Sequence, residues 1–397
     1  MDALELLPIP LPLSANSAQL SDFGREVKNL DPGNLNAEQF AALENALYHY
    51  GILLFRNINL TPEQQYNLVK AFDPKTESYG HGNKRTVETD KKSPFYGMQT
   101  IPSVPQVQLI GHGIVRDHEG ITEAKLQHPS HKSFHRFPLS DDEERAGFAR
   151  FYHWHFDAAM YDLKPPKVTA LYSVNVPQGP RQTVRYDDGT GDLLSVSLGA
   201  TAFTWGKTMF DILPNELKSV AVRGRVRYPP HPFRWMNPAH AMSTGVMMET
   251  EGLEVPLNEL PPWEEHKIQT LPMLWKNEVT GYLHLQINGT AASEVFVDPL
   301  PEDAERVGAL YPEGAHLTDL KEVRDLLNTL LRPGIAPSLI YPHDWRDNDL
   351  VVFHNRGVFH SVVGAFAEDQ VRVFHQSNLA SLDLPLGPDD QDVKRWA

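Results

Sequence analysis

The chain of 397 residues, 41% hydrophobic and 10% aromatic, has material for a large buried core, in one big or two ordinary domains. Its formal net charge of -15 disfavours a grip on phosphate backbones, which draws its energy from clustered Lys and Arg, so no nucleic-acid partner is expected. The absence of cysteine excludes disulfides, thiolate metal sites and a Cys nucleophile, and any metal must rest on His and carboxylates.

The apolar run Leu6-Leu7-Pro8-Ile9-Pro10-Leu11-Pro12-Leu13 follows Asp2 and Glu5 and is broken by prolines. Residues 1–15 therefore read as an extended arm and not as a signal peptide. No other run approaches the roughly 20 apolar residues needed to cross a bilayer, so no membrane partner and a cytoplasmic location are expected. Phe40, Leu43, Ala46 and Leu47 recur at helical spacing over residues 37–50, ended by Gly51. Ile52-Leu53-Leu54-Phe55 has strand length, and Pro62-Glu63-Gln64-Gln65 opens a second helix. Residues 75–140 show little periodicity and read as long loops with short strands. Strands are expected over 151–156, 168–176, 183–186, 220–228, 282–287, 349–354, 358–363 and 371–376. Helices are expected over 187–198 and 319–331. No linker or repeat divides the chain. The expectation is one domain, residues 1–397, with long insertions at 75–140 and 187–280. Its fold class is mainly β with flanking helices around a jelly-roll core, whose mouth is a natural small-molecule pocket.

The sharpest chemical feature is Tyr152-His153-Trp154-His155-Phe156-Asp157. In a strand His155 and Asp157 point to one face and can bind one metal. They supply two corners of a 2-His-1-carboxylate triad, which leaves positions open for co-substrate and oxygen. With 18 His and 51 acids in the chain the tripeptide alone is a weak signal. Its weight comes from Asp349–Ser361, a strand, a tight turn and a second strand, where His354 and His360 compete as third ligand. His360 is favoured, because His354 immediately precedes the turn and suits a bond to loop backbone. His128, His131 and His135 match no regular zinc spacing and read as loop histidines.

The segment Phe353-His354-Asn355-Arg356-Gly357-Val358-Phe359-His360 resembles the distal-histidine segment of the TauD/TfdA family of Fe(II)/2-oxoglutarate dioxygenases, with His354 where that family often has Asp. Gly51–Arg56 and Leu60–Gln64 resemble its opening. The resemblance implies Fe(II), 2-oxoglutarate as co-substrate and O2. It places Arg372, twelve residues after His360, on the distal carboxylate, which a planar guanidinium holds by paired hydrogen bonds. Thr183 resembles the family's assisting hydroxyl, though Arg181-Gln182 stands where Gly-Asp is common. Asp157 keeps the carboxylate that related halogenases lack, so hydroxylation is implied.

Alternation from Arg372 puts Phe374, Gln376 and Asn378 on one strand face. Two amides and a ring suit a flat heterocycle with N–H donors and C=O acceptors. Arg372–Asn378, with Arg150–Asp157 upstream, resembles the fungal xanthine dioxygenases, which convert xanthine to urate. That resemblance makes Gln376 and Asn378 purine-binding amides, Glu143 and Glu144 an acidic pair, and Gln106 with Gln108 further amides. Lys125 and Lys132 compete for a family lysine. The residues Ser140-Asp141-Asp142-Glu143-Glu144 read equally as a capped helix start. Other readings are a related oxygenase for a sulfonate or another heterocycle, an inactive cupin-like binding module, and a zinc hydrolase. The chain is compatible with a homo-oligomer.

Overall fold

The computed structural model describes residues 4–80, 99–128, 130–367 and 369–397. The helix Ala37–Tyr50 starts in a capping box, with the Asn36 side chain accepting from the Gln39 amide and Gln39 returning a bond to Asn36. Gly51, at φ 74, stops it and turns the chain into the fully buried strand Ile52–Phe55. Thr61 and Gln64 cap the helix Pro62–Phe72 in the same manner, with the proline in the first turn, where its missing N–H is harmless.

These helices cover one face of a nine-stranded sheet. Its order runs Leu6–Pro8, Arg25–Val27, Ile52–Phe55, Leu350–His354, Val168–Asn175, Arg372–Asn378, Val104–His118 and Gln99–Ile101, with Ile121–Leu126 paired to Val104–His118. Leu43, Leu47, Leu68 and Phe72 pack on Leu53, Phe55, Ala170, Leu350 and Val352. The alternate residues Ile52, Leu54, Leu171, Val351, Phe353 and Phe374 point the other way. They meet Phe203 and Tyr341 of a second sheet, in which Thr201–Trp205 lies between Tyr341–His343 and Val358–Val362. The turn at Asn355–Gly357 carries the chain from the large sheet to the small one. Two facing sheets, antiparallel except for the pair Arg25–Val27 and Ile52–Phe55, form the jelly-roll core read from the sequence.

Four local expectations change. Val104–His118 is a fifteen-residue strand, where loops were expected for 75–140; residues 81–98 of that stretch lie outside the described residues. Its pattern is masked by Gln108 and His112 on the inward face and by Gly111. A Cβ on Gly111 would stand 1.7 Å from the Arg372 carbonyl oxygen, so only glycine permits this close pairing. Residues 187–198 form no helix: Asp187, Gly189 and Gly191 take positive φ, and Leu193–Val196 is a strand. Residues 220–228 begin as the helix Asn215–Arg223, which buries Leu217, Val220 and Ala221 on one face, before the strand Gly224–Arg227. Phe151–Phe156 joins the small sheet only by bridges, Phe151 to Val363 and His155 to His360. The stretch 187–280 is also more than an insertion, because Thr201–Trp205 is the middle strand of the small sheet. The arm at the N-terminus contributes the edge strand Leu6–Pro8. Among the described residues, no helix is long and apolar enough to cross a membrane.

Beneath the turn, His284 and His354 pack edge to face at 5.6 Å, both buried. Burial drives the pKa of His284 down to about 3 and that of His354 well below the usual histidine range. Each is neutral when folded and free to protonate when unfolded, so their stability contribution is complete above about pH 6.5 and is lost as pH falls toward 3. At about pH 5 His284 costs roughly 2 kcal/mol relative to neutral pH, and His354 acts in the same direction. Urea midpoints should drop accordingly between pH 7 and pH 5, and His284→Asn should flatten that drop. An unchanged slope in the variant would exclude His284 as a source.

Candidate metal centre and co-substrate pocket

His155, Asp157 and His360 bring one ligand atom each within 4.8 Å of one another. The histidine Nε2 atoms lie 3.8 and 3.9 Å from Asp157 Oδ1. The backbone bridge between His155 and His360, N to O at 2.9 Å in both directions, sets this spacing. His155 Nδ1 donates to the His153 carbonyl at 3.0 Å, which fixes its proton there and leaves Nε2 as the ligand atom. The His153 ring stacks on it at 4.8 Å.

Asp157 is held from every side. Asn355 accepts from its backbone N–H and donates to its carbonyl, both at 2.8 Å, and donates to the Pro166 carbonyl at 2.9 Å. Oδ2 accepts from Thr169 Oγ1 at 2.7 Å and from Gln376 Nε2 at 3.2 Å, so Oδ1 is the oxygen turned to the histidines. Asp157 and His360 are buried, while the His155 side chain is 21% exposed and marks the open side. Two imidazoles and one carboxylate on a single side, with no thiolate, fit a metal held facially with positions left over. His354 points elsewhere, toward Tyr48 and His284.

Arg372 is the second unusual group. It is buried and bonds the Gly199 carbonyl at 3.3 Å, and its guanidinium folds over the Phe374 ring at 3.8 Å. Among the described residues no carboxylate pairs with it, and burial pushes its pKa down to about 9. A buried cation without a counter-ion is costly unless an anion arrives.

Of the other residues read from the sequence, Gln376 and Asn378 share the Arg372 face, both buried. Gln376 lies directly across from Gln108, whose Oε1 accepts from the Tyr79 hydroxyl. Both amide atoms of Asn378 are buried without a partner among the described residues. Gln106 is half-buried further along that strand and borders a surface cleft of about 410 Å³ with Tyr66 and Asn67. Phe374 is no free stacking platform: Arg372 covers its face and Trp345 meets it edge on at 4.7 Å. Thr183 lies on the half-buried face of its strand, cross-strand from Ser195 and Phe148, whereas Gln182 occupies the buried face. The single-residue offset reverses the expected side.

Glu143 and Glu144 both have partners within the chain. Glu143 closes a capping box with Ser140 and pairs with Arg185 at 2.5 Å, contacts that lower its pKa to about 2. Glu144 binds His131 and Lys132, each at 2.6 Å. Lys132 is thereby engaged, and Lys125 is exposed on the Ile121–Leu126 strand. Sequence reasoning missed Thr169 and the clamping role of Asn355. Alternation from Leu171 would have turned Thr169 inward, but nothing local indicated that Asp157 stood there.

The model of the "Taurine catabolism dioxygenase TauD, TfdA family" matches residues 12–377. The chain belongs to the TauD/TfdA family. It is 46% identical over 392 residues to an alpha-ketoglutarate-dependent (2-oxoglutarate-dependent) xanthine dioxygenase of Schizosaccharomyces pombe, covering 98% of this chain and 91% of that protein. It is 44% identical to one of Emericella nidulans, covering 93% and 96%. Among solved structures, AAD-2 in complex with Mn(II) and N-oxalylglycine has a TM-score of 0.55 at 15% identity, with 98% of this chain and all of that one covered. A taurine dioxygenase from Burkholderia xenovorans gives 0.56 at 17%, covering 98% and 92%. At these identities the structural likeness speaks for the fold. As a member of the TauD/TfdA family, the chain is a 2-oxoglutarate-dependent dioxygenase that uses O2 and acts on a small molecule.

Proposed function

We propose that this chain hydroxylates xanthine at C8 to give urate, succinate and CO2, with Fe(II) on His155, Asp157 and His360 and 2-oxoglutarate on Arg372. The carrying observation is the buried amide row Gln108, Gln376 and Asn378 beside Asp157, in a chain 44–46% identical to fungal proteins named xanthine dioxygenases. Bound Fe(II) would couple oxidative decarboxylation of 2-oxoglutarate to oxygen insertion into the substrate.

The chain's own residues hold and orient. Thr169 and Gln376 keep Asp157 Oδ2 occupied, so its other oxygen serves the metal. Gln376 then has its carbonyl oxygen for a ring N–H, and Asn378 offers both a donor and an acceptor. Tyr79 fixes the Gln108 amide so that its NH2 is a donor to a ring carbonyl. A base-free sulfonate would call for a second cation beside the metal, and this face carries none after Arg372. The proposed setting is a single catalytic domain acting in the cytoplasm, where a cysteine-free Fe(II) protein suits the reducing conditions.

Anaerobic reconstitution with Fe(II) and 2-oxoglutarate, then a panel of purines and sulfonates under air, tests the reading. Xanthine should trigger succinate formation together with urate. Succinate formation driven by a sulfonate and by no purine would sink it.

The two amides should separate. Asn378→Ala should lower kcat/KM for xanthine by roughly 5- to 150-fold, because it leaves part of a buried ligand edge unpaired, with little change in iron affinity. Gln376→Ala should do the same and also weaken Fe(II) binding by about 10-fold, since it removes a donor to a ligand carboxylate. Iron titrations that do not distinguish the two variants would contradict the double role of Gln376.

A further inference from the structure

His128, which the spacing of loop histidines left without a role, lies in the pocket around Arg372. Its Nε2 is buried with no hydrogen-bond partner among the described residues, and the backbone of Gly364 lies close enough to the ring to favour its protonated form. The charges acting on it come from Arg372 and from His112, the cross-strand neighbour of Arg372. Phe366 binds this group together, stacked on His112 at 5.3 Å and edge to face with His128 at 4.6 Å. Gly364 also abuts the Gln182 side-chain oxygen, itself buried and unpartnered. One pocket thus gathers a guanidinium and two imidazoles, with no acid of the described residues among the charges that act on His128. Such a collection is unfavourable for stability alone and suits an anionic ligand.

We propose that His128 is a second anchor for the distal carboxylate of 2-oxoglutarate, acting together with Arg372; this deepens, and rests on, the reading of Arg372 above. In the tautomer that carries its one proton on Nδ1, Nε2 can donate only when the ring is protonated. In the ligand-free protein burial and the neighbouring Arg372 and His112 hold the ring neutral. An incoming carboxylate reverses that balance, so co-substrate binding takes one proton from solvent onto Nε2.

The test uses the full-length protein loaded with Fe(II) under anaerobic conditions, titrated calorimetrically with 2-oxoglutarate and with pyruvate, a 2-oxo acid lacking the distal carboxylate. His128→Gln and His128→Leu should each weaken 2-oxoglutarate binding by roughly 10-fold or more near neutral pH and leave pyruvate and Fe(II) binding unchanged. The wild-type dissociation constant for 2-oxoglutarate should rise from about pH 6 to about pH 8, with proton uptake on binding, and both effects should vanish in the variants. Variants that bind 2-oxoglutarate like wild type would reduce His128 to a packing partner of Phe366. Equal losses for pyruvate or Fe(II) would overturn the proposal in favour of a structural role. A wild type that shows no preference for 2-oxoglutarate over pyruvate would instead remove the reading of Arg372.

Discussion

Alanine at His155, Asp157 or His360 is expected to abolish turnover, by well over the roughly 10- to 100-fold that loss of an outer hydrogen-bond partner costs at a metal site. Each substitution removes one of three ligand atoms that converge within 4.8 Å, and two remaining ligands hold a divalent ion poorly. Asp157→Ala carries an additional cost, because Thr169 and Gln376 are left as buried donors without their acceptor. Asp157→Asn preserves an acceptor for Thr169 and separates that packing effect from loss of the ligand charge. His354→Ala, on the opposite side of the turn, should keep Fe(II) binding. Iron titrations with circular dichroism as a fold check decide the matter. Iron binding that survives His360→Ala and is lost in His354→Ala would assign the third ligand to the wrong strand end.

Arg372→Ala should raise the 2-oxoglutarate requirement by roughly 10- to 150-fold, the range for losing a charge-assisted carboxylate contact, with iron affinity nearly unchanged. Lysine should rescue only part of this, since an ammonium cannot reproduce the paired hydrogen bonds of a planar guanidinium. Stability should move in the opposite direction. The pKa of Arg372 is driven down to about 9 by burial alone, so the folded protein without ligand carries an uncompensated charge. Arg372→Met, which keeps an apolar chain over Phe374, should therefore stabilise the ligand-free protein by about 1 kcal/mol or more, and added 2-oxoglutarate should raise the Tm of wild type only. A variant that is both less stable and indifferent to iron and co-substrate would make Arg372 a support of the core.

The elements legible in the sequence are those whose cause is local. Asn36 with Gln39 and Thr61 with Gln64 declare their helices through caps, and Ile52–Phe55 through an unbroken apolar run. His155, Asp157 and His360 were readable because two sit one residue apart and the third follows a turn beside a strand. For Glu143 and Glu144 the capped helix start was legible in Ser140 three residues before Glu143, whereas the pairing of Glu143 with Arg185 and of Glu144 with His131 and Lys132 was not. Val104–His118 reads as loop because Gln108 and His112 flank Ile110 on its inward face, where a core strand would present Val or Ile throughout.

By itself the sequence determined the caps, the metal-binding residue types, the absence of thiolate chemistry and the polar face of Arg372–Asn378. Tertiary structure alone decided which oxygen of Asp157 faces the two histidines, that Gln376 bonds the other, that Phe374 shelves Arg372, and that Gln182 rather than Thr183 turns inward. Caps and side-chain chemistry act over a few residues and leave a trace in spacing. The side a strand residue faces depends on register with its neighbouring strands, and in a period-2 structure a shift of one position exchanges the two faces.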